Sequence, residues 1–74
     1  MDQEQKQQMI DALVTAALLE SKEIAIRFAE IIAYLQKRQH LAALGTLQGL
    51  EEHFEFVSVV LKVAARVKQT QADE

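Results

Sequence analysis

The sequence predicts an all-α protein: an antiparallel helical hairpin, coiled-coil-like, that would become a four-helix bundle if two copies paired. Three observations predict it. Proline is absent and glycine occurs twice in 74 residues, while Ala, Leu, Glu, Gln and Lys are plentiful, a composition that favours helix almost throughout. Two long stretches repeat apolar residues at alternating spacings of three and four, the period of a packed helix face. One polar run, Gln36-Lys37-Arg38-Gln39-His40, separates them. The chain is short enough for one domain, residues 1–74, near the size where a lone core barely suffices.

The first helix is expected from about residue 3 to 36. Asp2 with Gln5 three residues on has the spacing of a capping pair, and Asp2 and Glu4 sit where the positive end of a helix favours carboxylates. Ile10, Val14, Ala17, Ser21, Ile24, Phe28, Ile31 and Leu35 then follow an unbroken four-three spacing. Glu20, Glu23, Arg27, Glu30 and Lys37 form a narrow solvated strip, with Glu23 and Arg27 at the favourable four-residue separation. Around the rest of the circumference lie further apolar residues, so the helix is greasier than the ~100 degrees one packing contact uses. Ser21 could instead cap a second segment, leaving a short separate N-terminal helix. The pattern runs through it in register, which favours one helix.

The second helix is expected from about 41 to 68, after a turn at about 37–40 and before a polar, mobile tail at 69–74. Its seam reads Ala43, Leu47, Leu50, Phe54, Val57, Leu61 and Ala64. Gly45-Thr46 is a rival turn, with the look of a helix stop and a new cap. The phase of the apolar pattern passes through both glycines and favours the bend at 36–40, which also gives arms of similar length. Roughly opposite the seam fall Gly45, Gly49, Phe56, Val60, Val63 and Val67, with Glu51, Glu55, Lys62 and Arg66 on a flank between. One hairpin arm covers the first stripe and not the second. The surplus stripe implies a companion, and the expected partner-binding residues are Gly49, His53, Phe56, Val60, Val63 and Val67.

Chemistry is harder to find. Glu51-Glu52-His53-Phe54-Glu55 is the one cluster that invites a metal or acid–base reading. Helical metal sites place ligands three or four apart on one face, and here the carboxylates are one or two from His53. No nucleophile comes with a base and an orienting group, and two glycines at helical spacing make no phosphate loop. With no cysteine there is no disulfide framework or thiolate. No catalytic, cofactor or metal residue is expected, and the chain is read as not an enzyme. Net charge is -3 and the basic residues are scattered, so nucleic acid is not an expected ligand. No apolar run reaches the ~18 to 20 residues of a membrane span, and the acidic start is unlike a secretory signal. A soluble, cytoplasmic protein is expected.

Gln39-His40, then Gly49-Leu50-Glu51 and a dense aliphatic run, resembles the C-terminal helix of the YscE/PscE/SsaE/EscE group. Those proteins are small co-chaperones of bacterial type III secretion that pair with a tetratricopeptide-type chaperone to hold the needle subunit. The likeness covers roughly the last 30 residues. It departs where the family has an aromatic after the glutamine and this chain has His40, in a shorter connection, and in the glycines inside helix two. The resemblance implies a bacterial cytoplasmic heterodimer half whose helical-repeat partner would cover Phe56, Val60, Val63 and Val67. The alternatives are a small antiactivator that masks a transcription regulator, or a homodimeric helical bundle with the surplus stripe buried against its own copy.

Overall fold

Helix α1 starts where Asp2, in extended backbone, turns its carboxylate onto the exposed end of the helix: Gln5 N–H donates to Asp2 Oδ1 at 2.8 Å. In the computed structural model, which describes residues 2–72 and the side chains of 2–69, α1 spans Gln3–Gln36 and α2 spans His40–Ala72. α1 passes through Ser21 without a break, and α2 passes through Gly45 and Gly49. The tail expected from residue 69 is helical through Ala72, because the pattern of good helix formers continues past Lys68. Residues 73 and 74 lie outside the described residues.

The turn is a helix stop made without glycine. Arg38 adopts φ 58, Gln39 N–H donates to the Tyr34 carbonyl at 2.8 Å and Arg38 N–H to the Leu35 carbonyl at 3.0 Å. This crossed pair of bonds is a Schellman motif, which satisfies carbonyls that α1 would otherwise leave bare. The next helix begins at once, with Ala43 N–H bonded to the Gln39 carbonyl at 3.1 Å.

The two helices lie side by side in a rod whose Cα envelope measures 54 × 14 × 13 Å. The buried apolar residues are Ala17, Ile31, Ala43, Leu50 and Ala64, with Ile24 and Tyr34 packed against the Ile31–Ala43–Leu50 cluster. Residues seven apart share a line along a helix, so the contact is described by two lines per helix. The first line holds Ile10, Ala17, Ile24 and Ile31 in α1, and Ala43, Leu50, Val57 and Ala64 in α2; all are buried or half-buried.

The second inward line differs from the one the periodicity suggests. In α1 it is Leu13, Glu20, Arg27 and Tyr34, preceded by the buried Lys6; in α2 it is Thr46, His53, Val60 and Val67. All but Lys6 are half-buried. Val14, Ser21, Phe28 and Leu35, and with them Leu47, Phe54 and Leu61, are exposed instead. The physical reason is the width of the apolar stripe. Both choices keep the four-three rhythm, and one neighbouring helix covers only one of them.

Candidate functional site

The outward lines give the hairpin two unlike flanks. On one, Val14, Phe28 and Leu35 of α1 run beside Leu47, Phe54 and Leu61 of α2. The rings of Phe28 and Phe54 meet edge to face, with centroids 6.0 Å apart and planes at 66°. Their contact shows that these two lines adjoin across the helix pair. The six side chains keep 40–54% of their surface open. Leu18, Ile32 and Leu44 extend the flank outward.

The other flank is mixed. Near the turn it carries a shallow depression of about 270 Å³ lined by Arg27, Glu30, Thr46, Gly49 and His53. Arg27 is clamped by carboxylates on its own helix, Nη1 donating to Glu30 at 2.9 Å and Nη2 to Glu23 at 2.8 Å. The hydrogen bond to Glu30, then the charges of Glu30 and Glu23, hold the Arg27 guanidinium above its ordinary pKa. Thr46 returns its hydroxyl to the Ala42 carbonyl at 3.0 Å, and His53 Nδ1 meets Glu20 Oε1 across the seam. These groups satisfy one another, and no hydroxyl is paired with a base as acyl transfer would need. Among the described residues no three of His, Cys, Asp and Glu converge as a metal site would require. No described helix is long and apolar enough to cross a membrane.

The six residues expected to bind a partner divide between two lines. Gly49, Phe56 and Val63 lie along one exposed line of the mixed flank, Phe56 at 46% and Val63 at 39% open. His53, Val60 and Val67 are half-buried on the line facing α1, the one described element able to cover them. The α1-facing assignment displaces Val60 and Val67 from the outer stripe on which the periodicity placed them. A Cβ built on Gly45 or Gly49 would meet nothing within 4 Å, so both glycines look onto open space.

The flank around Phe28 and Phe54 was missed as a surface because its residues form the most regular apolar series in the sequence. A regular series reads as core. The signal available was the matched polarity of the next line: Glu20 and Arg27 in one helix, Thr46 and His53 in the other, residues able to pair with each other inside a hairpin. The chain matches no protein-family model, no curated protein and no solved structure.

Proposed function

We infer that the chain is a non-enzymatic protein-binding adaptor, and that it acts as a co-chaperone in a heterodimer with a helical-repeat protein. One observation carries the binding role. Five apolar residues are buried, three of them alanine, whereas sixteen large hydrophobic side chains among the described residues are exposed. Apolar patches of that extent on a small protein mark association surfaces. The co-chaperone role rests on the likeness of Gln39-His40, Gly49-Leu50-Glu51 and the following aliphatics to the YscE-type needle co-chaperones.

The mixed flank suits a heterologous partner. Phe56 and Val63 offer apolar anchors, the open Gly49 admits a close backbone, and Glu23 and Glu30 nearby supply polar discrimination. Co-expression with a tetratricopeptide-type protein encoded beside this chain should yield a stable one-to-one complex. Phe56→Asp with Val63→Asp should abolish the complex while the hairpin's circular dichroism is kept. Failure to pair with such a protein, or recovery of a DNA-binding regulator in its place, would overturn the co-chaperone reading.

A further inference from the structure

We propose that the flank built on Val14, Phe28, Leu35, Leu47, Phe54 and Leu61 is covered by a second copy of this chain, giving an antiparallel four-helix bundle. The first argument is area. The accessible surface is 5645 Å², whereas a compact monomer of 8.4 kDa would expose about 4,600 Å². The excess of roughly 1,000 Å² is close to the ~800 Å² each partner buries in a standard stable interface. The outline of one flank, 54 by 14 Å, encloses roughly 750 Å² and is long enough to supply it.

The second argument is charge. In a two-fold contact residue i of one copy meets residue j of the other and j meets i, so an apolar patch is self-complementary with no charges to pair. From Val14 to Leu35 and from Leu47 to Leu61 the two lines hold no ionisable group, and His40 and Lys68 lie only at the ends of the second. The opposite flank carries Glu23 and Glu30 with Arg27 clamped between them, and a copy seated there would have to desolvate those ion pairs. The apolar flank also gives an unlike partner no charge to select by, whereas a second copy needs none.

The third argument is the pattern. A strict two-line seam belongs to a coiled coil, and a three-line apolar face to a helix of a larger bundle. Each helix here has one apolar line inward and another open, with the mixed line on the inner side of the pair, and the arms of 34 and 33 residues match along their length. Only a second layer of helices uses the open apolar line.

This inference shares with the adaptor reading the surplus of exposed apolar side chains but uses the other flank, so different substitutions test the two. Sedimentation equilibrium of the purified chain should give twice the 8.4 kDa of one chain. Phe54→Asp and, separately, Leu35→Asp should halve that mass with helicity kept. The melting temperature of the unaltered chain should rise with protein concentration, a readout that needs no variant to fold. A monomer whose melting is independent of concentration would overturn the proposal. So would a dimer indifferent to both substitutions and dissociated by Val63→Asp.

Discussion

Leu50 is the sole large side chain among the described residues with no exposed surface, so Leu50→Ala is the sharpest probe of the hairpin contact. The substitution removes three carbons' worth of burial, about 2.4 kcal/mol at ~0.8 kcal/mol per methylene. A cavity adds to this, but the Ile31–Ala43–Leu50 cluster, with Ile24 and Tyr34 packed against it, is small and open-sided and can close inward. The expected loss is therefore about 3 kcal/mol, toward the low end for buried leucines. Against a total of ~5 to 15 kcal/mol, and at ~4 to 8 °C per kcal/mol for a domain this size, melting should fall by at least ~10 °C. Leu47 is the control, because it shares the helix and the residue type but stays 43% exposed. Leu47→Ala should remove about half as much, near 1.2 kcal/mol. Melting followed by circular dichroism in dilute solution reads both. If Leu47→Ala is as damaging as Leu50→Ala at high dilution, the helices are rotated and the inward lines have been assigned to the wrong residues. A Leu47→Ala penalty that grows with concentration would be the mark of a second copy on that flank.

The remaining predictions concern the backbone. Gly45→Ala and Gly49→Ala should each stabilise the isolated chain by roughly 1 kcal/mol, because both sit within α2 and an added Cβ meets nothing. If Gly49 admits a partner's backbone, the same Gly49→Ala chain should bind that partner less well, which a titration of the two proteins would register. Arg38→Gly should raise the melting temperature, since Arg38 holds φ 58 at ~1 kcal/mol or more that glycine avoids; a fall would mean the arginine side chain anchors the turn. Asp2→Ala should cost about 1 kcal/mol in a denaturant titration by releasing the Gln5 N–H, with the loss confined to the first turns of α1 in hydrogen exchange.

The fold class was legible because it depends on period and composition, and both are strong here. The capping carboxylate of Asp2 follows from a local rule, and the bend after Gln36 from the phase of the apolar pattern, which runs on through the local stop signal at Gly45-Thr46. The rotation of each helix about its own axis was not legible. Ile10, Leu13 and Ala17 trace a valid seam, and so do Ile10, Val14 and Ala17, separated by only about one residue's turn of the helix. Where the stripe is wider than the contact, the apolar pattern fixes its centre and leaves the edge free. Val60 and Val67 changed side for that reason, whereas Phe56 and Val63, farther round the helix, stayed exposed.

The rotation carries its own logic. A hairpin optimised to be alone would place its greasiest lines together and leave Glu20, Arg27, Thr46 and His53 in water. This one brings those four into half-burial, with Glu20 against His53, and leaves Phe28, Leu35, Phe54 and Leu61 outside. Polar side chains in a seam hold their register, because sliding the helices separates each from its partner and leaves it half-desolvated. Apolar side chains on an open flank add nothing to that register, and their free energy is released only when a further surface arrives. The division therefore gives the two tasks to different residues. The polar line fixes which way the hairpin closes, and the apolar line drives what the closed hairpin joins. Exchanging Phe54 with His53 in a double variant should raise the stability of the lone hairpin and weaken its association. A chain that associates as before would show that the flank's apolar character is incidental.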